Sequence, residues 1–260
     1  MLISRYSDLA KSVDRLAAYY SSLDLPLPCP ANEVPPEQVI AVLTSTAVDE
    51  SLLEMAIAKL GLCALLLSIN NSVAAVAHLC KQTKATHLIY GTKYEAAARE
   101  AQALLKDEGI EVGLVAEKRF PLWGKGGIRD SKTPSLPARL TPEQEAKRTC
   151  VILHSSGSTG FPKPVFITHY GLIANMAASF PKTGFSALPL FHGFGHFSMY
   201  VFTIRISAEI TANEQIPMSV SRHGIHPYAS SSPSHFCQYL SSDPKFAIPP
   251  SSTLCSTIRP

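Results

Sequence analysis

Apolar positions along the chain follow two alternating rhythms. Between residues 4 and 20, Leu9, Val13, Leu16 and Tyr20 share one helical face, with Lys11, Asp14 and Arg15 opposite. Pro26, Pro28 and Pro30, then Pro35 and Pro36, break the chain. Val39 to Leu43 is a short continuous apolar run and predicts a strand. Asp49, followed by Leu52, Leu53, Met55, Ala56 and Leu60, predicts a capped helix closing at Gly61. Leu62 to Ser68 predicts the next strand, and Asn71 or Ser72 caps a further helix through Lys81. A strand over Thr86 to Tyr90, a helix over Lys93 to Leu105 and a strand over Glu111 to Val115 continue the alternation. Such a series implies an α/β fold with a parallel or mostly parallel sheet flanked by helices. Residues 118–140 lose all periodicity and read as a surface excursion, after which Thr141, Pro142 and Gln144 make a capping-box-like helix start.

Composition narrows the class. A chain of 260 residues, nearly half hydrophobic and sparsely charged, can bury a core and is not disordered. A net charge of +3, scattered along the chain, offers no footprint for nucleic acid or an acidic membrane surface. The longest apolar stretch, Gly61 to Ile69, is about half the ~18 residues of a membrane span and reads as a core strand. The N-terminus lacks the pattern of a signal peptide. Six widely spaced cysteines, Cys29, Cys63, Cys80, Cys150, Cys237 and Cys255, form no Cys-x-x-Cys pair and ask for neither disulfides nor zinc. Cys63 and Cys150 sit in apolar runs and read as core residues. A cytoplasmic protein is expected.

The chemistry concentrates in one place. The apolar run Cys150 to Leu153 predicts a buried strand and empties into Ser155, Ser156, Gly157, Ser158, Thr159 and Gly160. Two glycines permit a turn whose backbone N–H groups point into one concavity, a nest for an anion. Lys163, behind Pro162, adds a point positive charge. A second apolar run, Val165 to Ile167, leads to a helix-like segment with Leu172, Ile173 and Met176 on one face. Phe161 and Pro162 between Gly160 and Lys163 exclude a P-loop, and no Gly-x-Ser-x-Gly marks a nucleophile elbow. An ordinary Ser/Gly turn between two strands is the plainer alternative.

Residues 155–163 resemble, position for position, the phosphate-loop signature of the adenylate-forming superfamily of AMP-binding synthetases and ligases: Ser/Thr-Ser/Thr-Gly-Ser/Thr-Ser/Thr-Gly, any residue, Pro, Lys. The helix–strand–helix–strand run from Ala58 to Tyr90 is similar to the same family's early region, in the manner of fungal adenylation domains of peptide-synthetase-like carboxylate reductases. The resemblance implies the N-terminal subdomains of an adenylate-forming enzyme. It implies ATP and Mg²⁺, a small-molecule carboxylate substrate, and phosphopantetheine or CoA as acyl acceptor, with carrier or reductase domains in a longer protein. Ser155 to Gly160 and Lys163 would then hold the ATP phosphates, with Lys163 also catalytic.

Leu188 to Tyr200 carries a second correspondence. Pro189, Phe191 and His192 match the family's Pro-x-Phe/Tyr-His segment, which by resemblance puts His192 beside the substrate carboxylate as a catalytic group. His192 and His196, four apart, are also candidates for a metal pair, but glycines interrupt the helix, no third ligand is offered, and no metal site is expected. The glycines at 193 and 195 imitate part of a dinucleotide fingerprint without its last glycine. An aromatic core turn with a hydrogen-bonded histidine remains an alternative.

Past Tyr200 the sequence turns rich in Ser and Pro and its periodicities fade. This divides the chain into a partial adenylation domain, 1–200, and an atypical, poorly ordered tail, 201–260. A frameshift, a mispredicted intron or a truncated gene copy would produce such a tail, and a divergent native extension is the alternative. By resemblance the ribose-binding acid, the hinge and a second catalytic lysine would lie further on, and no residue here matches them. Two functions stay open: ATP-dependent carboxylate adenylation, or a catalytically inactive truncated fragment with at most weak nucleotide or phosphate binding.

Overall fold

The structure, a computed structural model, describes residues 6–23, 25, 27, 29, 33–44, 47–121, 140–155, 160–177, 189–193, 195–196, 218–221 and 224–227. Its elements in order are α1 (Tyr6–Ser21), β1 (Val39–Leu43), α2 (Ala47–Lys59), β2 (Cys63–Leu66), α3 (Val73–Thr83), β3 (Ala85–Tyr90), α4 (Glu95–Asp107), β4 (Gly113–Ala116), α5 (Pro142–Ala146), β5 (Thr149–Ser155), β6 (Lys163–Thr168) and α6 (His169–Ala177). Two short strands, β7 (Met218–Ser221) and β8 (Gly224–Pro227), pair with each other inside the expected tail.

The first six strands form one sheet in the order β4-β3-β1-β2-β5-β6. Every neighbouring pair is parallel except β5–β6, which is an antiparallel hairpin. Strand residues alternate between two cores. Ile40, Val42, Ala64, Leu66, Val151 and Leu153 face α1 and α2, while Ala41, Leu43, Cys63, Leu65, Leu67 and Ile152 face α3 and α4. Burial on both faces explains why β1 and β2 read as continuous apolar runs. The crossover from β1 through α2 steps one way along the sheet. The crossovers through α3 and α4 step back past β1 with their helices on the opposite face, so the hand of connection is the same throughout.

Local chemistry sets the ends. The Ser72 hydroxyl accepts from Ala75 N–H and caps α3. That helix runs two residues past Lys81, to Thr83, because Lys84 takes the left-handed conformation (φ 53°) and closes it. Thr141 and Gln144 complete the capping box on α5. Helix α2 starts at Ala47, ahead of the expected Asp49, which lies in the first turn and pairs with Arg119 at 3.3 Å. A carboxylate there complements the helix dipole as well as a cap would. Gly61, at φ 74°, ends the helix as expected.

From Glu50 to Lys59 every residue of α2 is buried, charged ones included. Lys59 pairs with Asp14 of α1, and Glu54 pairs with His196. Burial, reinforced by the charges of Glu54 and then Glu117, pushes the Glu50 carboxyl up to about 8. The apolar run at 165–167 lies in β6, an edge strand with Val165 and Phe166 exposed. Cys63 and Cys150, the expected core cysteines, are buried and free, and so is Cys80; burial pushes all three thiols up. Cys237 and Cys255 lie outside the described residues, as does most of the 118–140 excursion. No helix among the described residues is long and apolar enough to cross a membrane.

Gln38 holds the chain leading into the sheet. Its Oε1 accepts from Leu27 N–H at 2.8 Å, and its Nε2 donates to the Leu25 carbonyl at 2.5 Å and to Thr86 Oγ1 at 2.8 Å. Gln38→Leu keeps the volume but strips these partners, and we expect a loss of about 3 kcal/mol in urea unfolding with an unchanged m-value. A change within ~0.5 kcal/mol, as for an ordinary surface substitution, would refute this role.

Glu50 gives a second prediction. Between its ordinary carboxylate value and about 8, folded Glu50 keeps a proton that the unfolded chain releases. Stability attributable to this group therefore falls as pH rises through that window, by at most about 1.4 kcal/mol per pH unit, and levels off above it. Glu50→Gln should flatten that slope, so thermal melts should place the variant above wild type at pH 8, with the gap closing toward pH 5. Parallel melting curves for the two proteins would contradict it.

Candidate functional site

In a parallel sheet the C-terminal ends of the strands lie at one edge, and there the polar loops gather. Strand β5 lies beside β2, so its exit at Ser155 meets the β2–α3 turn at residues 68–72. His154 joins the two, because its Nε2 accepts the Ser68 N–H at 3.0 Å and lies 3.4 Å from Asn71 Nδ2. Desolvation lowers the pKa of His154 from its ordinary value, opposed in part by the Ser155 backbone. Asn70 N–H donates to Ser68 Oγ at 3.1 Å and tightens the same turn.

The Ser/Gly segment connects β5 to β6, which pair antiparallel as far as Ser155 and Lys163. Ser155 is cross-strand from Lys163 and both are exposed. Gly160 has φ +145°, a conformation that L side chains rarely adopt, and a Cβ there would meet nothing within 4 Å. Its requirement is thus conformational and not steric. Ser156, Gly157, Ser158 and Thr159 lie outside the described residues. Beyond the loop, the exposed ring of Phe161 stacks on His78 of α3, with centroids 4.8 Å apart and planes 17° from parallel. Lys163 makes no ion pair among the described residues, which leaves its charge available at the mouth of the hairpin.

The 189–196 segment reaches the same edge. Leu190 is buried in the core beside α1 and α2, and the Phe191 ring lies parallel to His154, 2° between planes and 6.1 Å between centroids. His192 is exposed and its N–H donates to the Pro189 carbonyl at 3.1 Å. One helical turn later His196 is fully buried, with Nε2 2.8 Å from Glu54 Oε1. The two histidines, candidates for a metal pair by spacing, thus occupy different environments. Among the described residues no group of three or more His, Cys, Asp or Glu side chains could hold a metal ion. The hydrogen-bonded core histidine expected as an alternative is His196, while His192 faces outward.

The structure therefore brings Ser155, Gly160 and Lys163 to one hairpin and joins that hairpin to the Phe191–His192 turn through His154. Sequence reasoning gave His154, His78, Phe161 and Ser68 no role. The available signal for His154 was a polar ring directly after the buried apolar run Cys150 to Leu153 and directly before the Ser/Gly residues.

Comparison with known proteins fits this geometry. The family model described as AMP-binding enzyme matches residues 5–222, past Tyr200. The adenylate-forming reductase stbB of Stachybotrys bisbyi is 32% identical over 182 residues, 65% of this chain and 16% of that protein. An adenylate-forming reductase of Aspergillus terreus is 34% identical over 151 residues, 54% of this chain and 14% of its own length. The chain thus spans a small part of these relatives. Among solved structures, the N-terminal domain of FACL13 from Mycobacterium tuberculosis superposes with a TM-score of 0.56 at 16% identity, covering 80% of this chain and 53% of that one. The luciferase-like enzyme of the mealworm Zophobas morio gives 0.54 at 17% identity, covering 76% and 45%. With the matched model covering most of its length and the fold agreeing, the chain belongs to the AMP-binding enzyme family.

Proposed function

We propose that this chain binds the polyphosphate of ATP at the β5–β6 hairpin and contributes that half of a carboxylate-adenylating site. The observation that carries the reading is the placement of Lys163. It is an exposed cation without an ion pair among the described residues, cross-strand from Ser155, at the C-terminal edge of a parallel sheet. Residues 155–160 supply hydroxyls and backbone N–H groups to β- and γ-phosphate oxygens, and Lys163 supplies charge. The donor set of hydroxyls, backbone N–H groups and a lysine fits a polyphosphate, which would bring Mg²⁺ with it. Such an ion would neutralise phosphate charge when bound.

In the reaction, a carboxylate oxygen attacks the α-phosphorus, the bond from that phosphorus to the bridging oxygen breaks, and pyrophosphate leaves with that oxygen. The products are an acyl adenylate and pyrophosphate. This chain's part is to hold the leaving group in line and stabilise its charge. His192, exposed on the turn tied to His154, is the group available to the carboxylate. A small organic acid is the substrate, and phosphopantetheine or CoA is the acceptor in a longer protein carrying carrier or reductase domains.

Exposed Val165 and Phe166 on the edge strand favour a second reading, in which the chain binds phosphate without turnover. Carboxylate-dependent ATP–pyrophosphate exchange separates the two, since only the first reading gives exchange. Under either, Lys163→Ala should weaken pyrophosphate binding in calorimetry about tenfold, the worth of one charge-assisted hydrogen bond. Equal affinity in the variant would remove Lys163 from the site.

A further inference from the structure

His154 is the last β5 side chain before Ser155 and the Ser/Gly loop, and it touches two other parts of the chain. Its Nε2 accepts the Ser68 N–H, and its ring is parallel to and offset from that of Phe191, one residue before His192, with centroids 6.1 Å apart. A ring nitrogen can accept a backbone N–H only as the unprotonated one, so this arrangement requires neutral imidazole with its proton on Nδ1. The groups against it are uncharged: Ser68 and Asn71 from the β2–α3 turn, the Ser155 backbone, Phe191, and Pro164 across the hairpin. The charged or titratable neighbours in sequence are Lys163, paired with Ser155, and His192, beside Phe191, and both are exposed.

We propose that His154 is a positioning residue for the phosphate loop. Its acceptance from Ser68 and its alignment with the Phe191 ring hold the end of β5, from which the loop departs, beside the β2–α3 turn and the 189–192 turn. The inference rests on residues 155–163 binding polyphosphate. Protonation places a second donor against the Ser68 N–H, two hydrogens facing each other, and the tie is lost. Burial keeps the ring neutral through the neutral range and moves that loss to more acidic pH.

The test is calorimetric binding of inorganic pyrophosphate to the full chain from pH 8 to pH 5, for wild type, His154→Gln, His154→Leu and Phe191→Leu. Glutamine accepts the Ser68 N–H at any pH and does not titrate, while the ligand's own protonation is common to all four proteins. At pH 8 we expect His154→Gln near wild type, His154→Leu about tenfold weaker, and Phe191→Leu weaker in the same direction. On acidification wild type should lose more affinity than His154→Gln. Wild type and His154→Gln sharing one pH profile, or a folded His154→Leu binding as wild type does, would overturn the positioning role and leave the loop's reading intact. Should His154→Leu not fold, the Gln comparison decides. No pyrophosphate binding by wild type at any pH would overturn both.

Discussion

A parallel sheet buried on both faces is the constraint on which the rest of this structure depends. Its strands must be apolar on both sides, and its ladder satisfies their backbone groups internally. Polar chemistry is thereby expelled to the ends of the strands, and in a parallel arrangement the ends that carry the turns into helices share one edge. The β2–α3 turn and the end of β5 meet there although Ser68 and His154 are 86 positions apart. The pairing of β2 with β5, and no local preference of either segment, makes them neighbours.

Within that frame, buried polar groups fix which loop goes where. Gln38 fastens residues 25–27 to the sheet, Lys59 with Asp14 registers α1 on α2, and the Arg148 guanidinium donates to the Pro35 carbonyl. Glu54 with His196 attaches the 189–196 turn to α2. Burying such pairs costs desolvation that their attraction roughly offsets, so their contribution is to specificity of placement more than to net stability. The rings do similar work at the site edge, with His78 against Phe161 on one side of the hairpin and His154 against Phe191 on the other.

Much of the scaffold was legible because it rests on local rules. The runs Val39 to Leu43 and Leu62 to Ser68 gave strands, Ser72 and Thr141 gave caps, and the Ser155–Lys163 pattern marked the loop. What escaped depends on tertiary partners. Nothing in Glu50, Glu54 and Lys59 announces a helix without a wet side, since charged residues at those positions ordinarily face solvent. Nor does the apolar run at 165–167 reveal that Val165 and Phe166 lie exposed on an edge strand. The separate fates of His192 and His196 follow from Glu54, about 140 positions away, and spacing alone cannot register it.

The burial of α2 has a consequence for how the molecule opens and closes. A 13-residue helix is marginal by itself in water, and from Glu50 onward every residue of this one is buried. It forms only as α1 and the sheet close around it, so its amide hydrogens are shielded by the whole assembly and not by its own ladder. Exchange of those amides with solvent is then tied to cooperative opening of the α/β core, while the hairpin carrying Lys163 at the sheet's edge can breathe without disturbing it.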